Sequence, residues 1–190
     1  MNDNAMVFVD GENLRARYEA MVEDGEWRPQ SSVTHIPGKF VWSPHATDQL
    51  GAEILRVTYY TTVVSDYNGI RELEREIVKR HWSQDPFGGS ARRGTAGSLT
   101  PRVFKKASKS QKTASVDINI TIDVLRHCFQ KDLGVVYIIS GDGDYIPLIQ
   151  EAMRTGTRVV VGALSSGLNE DMKIVPDRFI PLDLSFFLDR

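Results

Sequence analysis

Two apolar runs in this chain end on acids. Asp10 directly follows Ala5-Met6-Val7-Phe8-Val9, and Asp142 and Asp144 follow Val135-Val136-Tyr137-Ile138-Ile139 after only Ser140 and Gly141. A short continuous apolar run is what a strand covered on both faces requires, so these acids stand at strand ends. In open parallel sheets, ligands gather beyond the carboxyl ends of the strands, where strand order reverses. Carboxylates brought together there repel one another unless a cation sits among them. Oxygen donors alone suit Mg²⁺ or Mn²⁺, and His35, His45, His81 and His127 do not have zinc-site spacing. A hard cation acidifies a bound water, orients it for in-line attack on phosphorus and offsets charge on the leaving oxygen, which is the chemistry of phosphodiester hydrolysis.

The competing reading is capping. An Asp after a strand often serves as a helix cap or turn residue, and Asp142 within Gly141-Asp142-Gly143-Asp144 could do only that. The two glycines do not make a dinucleotide site, because GxGxxG is absent and no P-loop lysine follows. A phosphohydrolase using Asp10 as nucleophile is a further reading, but enzymes of the haloacid-dehalogenase type normally carry a second Asp two residues on, where Glu12 stands.

The elements that must position these acids alternate. Residues 12–22 read as a helix, and 25–49, with Gly25, Pro29, Pro37, Gly38 and Pro44, as an irregular insertion over the surface. Glu53–Val64 is rich in β-branched and aromatic residues and predicts a second core strand, with a helix over 69–82. A short strand is expected at Arg102–Lys106. Val116–Gln130 fits two periods: Val116, Ile118, Ile120, Ile122 and Val124 alternate, while Ile118, Ile122, Leu125 and Phe129 keep helical spacing; its length favours a helix. A helix over 145–155 with Pro147 in its first turn, a strand at Arg158–Ala163 and an edge strand at Arg178–Leu182 complete the pattern. Strand–helix alternation predicts an α/β fold, a mainly parallel central sheet with helices on both faces.

At 190 residues the chain suits a single domain, with insertions expected at 25–49 and 86–114. Apolar residues at 41% and charged ones at 25% are ordinary for a globular protein. No apolar run approaches the roughly 20 residues needed to span a bilayer, and no signal-peptide pattern opens the chain, so a cytoplasmic protein is expected. Cys128, the lone cysteine, reads as a small buried side chain. Trp82, Leu125, Phe129, Phe186 and Phe187 read as core or interface, and the tail Leu182–Leu188 is apolar enough to pack on the domain or on a second copy, which puts a homodimer among the expectations. The net charge of −2 hides a separation of sign: from Gly88 to Ala114 there are Arg92, Arg93, Arg102, Lys105, Lys106, Lys109 and Lys112 and no acid.

Taken in order, Val7-Phe8-Val9-Asp10-Gly11-Glu12-Asn13, then Lys112, Ser115-Val116-Asp117 and Asp123, then Ser140-Gly141-Asp142-Gly143-Asp144-Tyr145-Ile146-Pro147-Leu148, then Gly156 before Val159-Val160-Val161, resemble the NYN domain of bacterial LabA-like proteins, over about residues 5–183. The resemblance implies a PIN-like three-layer fold and a cleft where acids bind Mg²⁺ or Mn²⁺ to cleave RNA. Carried over by position, Asp10, Asp117, Asp142 and Asp144 match the family's acids, with Asp10, Asp117 and Asp142 as metal ligands, directly or through water. Asn13 and Ser140 match supporting positions, and Asp123 a further acid. Six residues of helix turn Asp123 by roughly 240° from Asp117, so the two do not share a face. The chain departs from the family's lysine–glycine pair before the second acid: Lys112 lies five residues ahead of Asp117, and Ser115 stands in the glycine's place.

The implied substrate is RNA, with DNA also open. Arg102, Lys105, Lys106, Lys109 and Lys112 are the candidates to line the approach of its backbone. The function expected is that of a metal-dependent endoribonuclease; the alternative is a nucleic-acid-binding or regulatory module that keeps the acids without turnover.

Overall fold

The computed structural model describes residues 4–84, 95–106, 108, 115–131 and 133–189. In chain order the elements are β1 (Asn4–Asp10), α1 (Gly11–Asp24), β2 (Thr34–Ile36), β3 (Phe40–Trp42), β4 (Glu53–Val63), α2 (Tyr67–Val78), β5 (His81–Gln84), β6 (Thr95–Ser98), β7 (Thr100–Lys105), α3 (Ser115–Gln130), β8 (Val135–Ile139), α4 (Ile146–Arg154), β9 (Arg158–Ala163), β10 (Arg178–Pro181) and α5 (Asp183–Phe186). Six strands form one sheet in the order β10-β9-β8-β1-β4-β7, and every pairing within it is parallel. From β1 the chain first builds outward through β4 and β7, then returns to the other side of β1 for β8, β9 and β10. The strand order therefore reverses between β1 and β8, the two strands that carry the acids.

Alternation along β1 divides the core. Ala5, Val7 and Val9 face one apolar cluster with Leu14, Tyr18 and Met21 of α1 and Leu73 and Ile77 of α2. Met6 and Phe8 face the other, with Val116, Ile120, Val124 and Cys128 of α3 and Leu148, Ile149 and Ala152 of α4. Period-2 side chains with apolar residues on both faces are the reason the strand reads as one unbroken apolar run. The result is three layers: helices, parallel sheet, helices.

Several expectations are refined by packing. The segment 115–130 is helical, but its buried stripe is Val116, Ile120, Val124 and Cys128; Ile118 and Ile122 are exposed, and Phe129, at 63% exposure, is not core. Leu125 is half-buried, whereas Trp82, Phe186 and Phe187 are buried. The second helix stops at Val78 rather than reaching residue 82, because His81 and Trp82 leave it to pair with β6. Gly97 sits against the Trp82 indole, where a Cβ would come within 2.9 Å of the ring.

The stretch 25–49 is not a loose surface loop. Its hairpin β2–β3 turns at Gly38, whose φ of +68° favours glycine, and it buries Phe40, Val41 and Trp42 in the α1 side of the core. Tyr59, within β4, donates its hydroxyl to the Val41 carbonyl (3.1 Å) and packs in a tilted arrangement against Phe40, with ring centroids 4.8 Å apart. Of the stretch 86–114, the described part includes β7, which extends the central sheet by pairing with β4. Arg92, Arg93, Lys109 and Lys112 lie outside the described residues. Among the described residues no helix is long and apolar enough to cross a membrane.

Candidate active site

Asp10 ends β1 and caps α1 at the same time: its Oδ1 accepts the Asn13 N–H at 3.0 Å. The capping reading and the chemical reading thus fall on one side chain. α1 starts close against β4 because Gly11 has no side chain; a Cβ there would lie 2.7 Å from the Tyr60 carbonyl oxygen. Asn13 reaches across the strand-order reversal, accepting the Gly141 N–H on Oδ1 at 3.0 Å. Ser140 completes the link from the other strand: its hydroxyl donates to Asp10 Oδ2 (3.1 Å) and accepts the Asp142 N–H (3.2 Å). Asp142 in turn accepts the Asp144 N–H at 3.0 Å, capping a single 3₁₀ turn over Gly143–Tyr145.

Asp117 enters from the first turn of α3. The Tyr145 hydroxyl donates to its Oδ1 at 3.0 Å, so the helix crossing from β7 is tied to the turn that follows β8. Asp10, Asn13, Asp117, Ser140, Asp142 and Asp144 are therefore brought to one end of the sheet through a chain of hydrogen bonds.

The electrostatics express this crowding. Asp10 is 3% exposed, and burial above all pushes its carboxyl up to about 7. The Asn13 N–H and the Ser140 hydroxyl pull it down, while the charges of Asp117 and Glu12 push it further up. Asp117 is also raised, first by desolvation and then by Asp142, Glu12 and Asp144, with the Tyr145 hydroxyl opposing. Glu12 and Tyr145 are neighbours of these acids to which the sequence alone assigned no role. Their signals were their positions: Glu12 opens the helix that Asp10 caps, and Tyr145 directly follows Asp144.

Asp123 lies elsewhere. Its carboxylate accepts from the Tyr60 hydroxyl (2.8 Å), Arg102 (3.0 Å) and Arg126 (3.0 Å). Burial alone would raise it, yet those donors hold it below the ordinary carboxylate range. Arg102 is thus engaged with Asp123, and Lys105 is exposed at the end of β7. Lys106 is placed beside Glu12: its N–H donates to the Val63 carbonyl (2.9 Å), and its ammonium lies 3.4 Å from Glu12, which also accepts from the Thr62 hydroxyl.

Among the described residues, no three His, Cys, Asp or Glu side chains are already gathered as a metal site. The donor chemistry nevertheless fits a hard dication. The charged groups in this hydrogen-bonded chain are the carboxylates of Asp10, Asp117, Asp142 and Asp144, one is buried with its proton held to unusually high pH, and Mg²⁺ typically keeps several waters and takes only one or two carboxylates directly.

A solved structure of a protein of unknown function from Vibrio parahaemolyticus superposes with a TM-score of 0.60 over 97% of this chain and 96% of its own, at 16% identity, a likeness of fold. An uncharacterized protein of Methanocaldococcus jannaschii is 25% identical over 75 residues, which is 40% of this chain. The matched stretch spans 31% of that relative's length. The model of the NYN domain family matches residues 4–183.

Proposed function

Because the chain belongs to the NYN domain family, within the PIN-like nuclease superfamily, we propose that it is a metal-dependent endoribonuclease that hydrolyses RNA phosphodiester bonds at the Asp10–Asp117–Asp142 end of the sheet. The family is nuclease-like; metal, substrate and mode of cleavage are this proposal's own. The observation that carries it is the link across the strand-order reversal: Asn13 and Ser140 tie Asp10 to the Gly141–Asp142 loop, while Tyr145 ties that loop to Asp117. A buried carboxyl crowded by other acids is costly for a fold unless it serves a ligand of opposite charge.

Asp10, Asp117 and Asp142 would hold Mg²⁺ or Mn²⁺, directly or through water. The ion would supply an activated water and charge neutralisation at the phosphorus. The chain's own contribution is positional. Asn13 and Ser140 fix both oxygens of Asp10, the Tyr145 hydroxyl fixes one oxygen of Asp117, and Asp144, exposed beside Asp142, would orient a water by accepting its proton in a hydrogen bond.

A second reading draws on one observation. With no three-ligand set gathered among the described residues, the domain could instead bind nucleic acid without turnover. The deciding experiment offers labelled single-stranded and structured RNA, and DNA of matching sequence, to wild type and Asp142→Asn, each with Mg²⁺, Mn²⁺ or EDTA. Metal-dependent RNA cleavage lost in the variant is the expected result. Retained RNA binding without cleavage supports the binding module, and equal cleavage by both proteins refutes the assignment of the site.

A further inference from the structure

Next to the acids, but outside them, lies a cavity of about 370 Å³ between the start of α1, the β2–β3 turn and the ends of β4 and β7. Its volume is on the scale of small-ligand pockets, roughly 300–1,000 Å³. Arg15, Lys39 and Lys106 line it against a single acid, Glu12, and Pro37 and Val64 add apolar wall. None of the described residues lining it is aromatic, so it offers no stacking platform for a base. Its chemistry is that of a phosphate and the sugar next to it.

The rim is preorganised by a residue that does not line the cavity. Glu19, two turns along α1 from Glu12, accepts the Gly38 N–H of the hairpin turn (2.7 Å), pairs with His35 of β2 (3.0 Å) and pairs with Arg15 (2.5 Å). The hairpin turn is thereby pinned to α1, which sets Lys39 and Arg15 on the same opening. Lys106 is held from the opposite side by Glu12. Glu12 joins the two regions, because it lines the cavity and its charge also acts on Asp10 and Asp117.

We infer that this cavity is a subsite for the RNA backbone flanking the scissile bond, with Lys39, Arg15 and Lys106 engaging a phosphate one step removed from the acids. The inference rests on the nuclease reading for its substrate, but not on turnover. It gives the 25–49 stretch a role: the hairpin that fills the core also carries Lys39 to the substrate path. Arg102, paired with Asp123, is not among the residues that line this cavity. A polyanion entering here meets three cations against one carboxylate, Glu12, before it reaches Asp10, Asp117 and Asp142, which lowers the repulsion it would face on approaching those acids directly.

The test is equilibrium binding, in EDTA, of a fluorescein-labelled single-stranded RNA of about 12 nucleotides by wild type, Lys39→Ala and Arg154→Ala, with salt varied from about 50 to 200 mM. Arg154 is a remote exposed cation on α4, so its variant carries the same change of net charge. Lys39 is exposed, so its replacement should leave folding intact, which thermal melts verify. Lys39→Ala is expected to weaken binding several-fold at the lowest salt and to lower the slope of log affinity against log salt by about 0.7, the value for one lost phosphate contact on a single strand; Arg154→Ala should do neither. Equal affinity and slope in the two variants would overturn the subsite, as would absence of RNA binding by wild type at the lowest salt. If wild type cleaves RNA with metal while Lys39→Ala binds like Arg154→Ala, the subsite fails and the nuclease reading stands. If nothing is cleaved under any metal but Lys39→Ala alone binds weakly, the subsite stands and the nuclease reading fails.

Discussion

Replacing Asp10 by asparagine should stabilise the metal-free protein at alkaline pH, although Asp10 is fully hydrogen-bonded. Burial and the charges of Asp117 and Glu12 raise its carboxyl from 3.8 to about 7 in the fold. Between those values the folded protein holds a proton that the unfolded chain has released, so stability falls as pH rises through the window and stays low above it. The corresponding penalty is about 4 kcal/mol at pH 8 and close to zero below about pH 4. Asparagine removes the charge while keeping the shape: its carbonyl can still accept the Asn13 N–H, and the Ser140 hydroxyl can turn to accept from the new amide. If even half the penalty is relieved, about 2 kcal/mol, the melting temperature of Asp10→Asn in EDTA at pH 8 should exceed that of wild type by about 4–8 °C. The gain should shrink steadily as pH is lowered toward 4. Thermal melts by circular dichroism across this range read it directly. An equal or lower melting temperature at pH 8, or a gain that grows on acidification, would refute the argument that Asp10 is held against its charge. Adding Mn²⁺ should raise the wild-type melting temperature at pH 8 and leave the variant's nearly unchanged.

Tyr145→Phe deletes the hydroxyl that opposes the upward push on Asp117, so that carboxyl should rise further and Mn²⁺-induced stabilisation should set in at higher pH than in wild type, because a ligand must lose its proton to bind; an unchanged onset in melts from about pH 5 to 8 would remove Tyr145 from the site. Trp42→Ala removes a buried indole that donates to the His81 carbonyl at 3.0 Å and should cost about 3–5 kcal/mol in urea unfolding, whereas a loss below about 1 kcal/mol would mean that the hairpin is peripheral to the core.

What was legible in the sequence was local. β1 and β8 showed as unbroken apolar runs because both of their faces are covered, and the acids at or after their ends marked where the runs stop because a carboxylate in the middle of a buried strand is costly. Strand–helix alternation was enough to predict the parallel α/β architecture. Only strand order could bring Asp10 beside Ser140, 130 positions later in the chain. Asp117 was marked by family resemblance and not by periodicity, since its place in the site depends on α3 crossing from β7 to β8 and on a hydroxyl from Tyr145. Asp123, on the same helix, turned toward Tyr60 and Arg102 instead. The hairpin at 34–42 carried the turn residues of a surface loop, yet Phe40 and Trp42 are core because the α1 face of the sheet needs cover there. Glu12 and Lys106 acquired their meaning only by meeting. Local pattern reports which residues can be buried and where a strand ends; which charges face one another is set by non-local strand pairing and helix packing, and those exist only in the assembled fold.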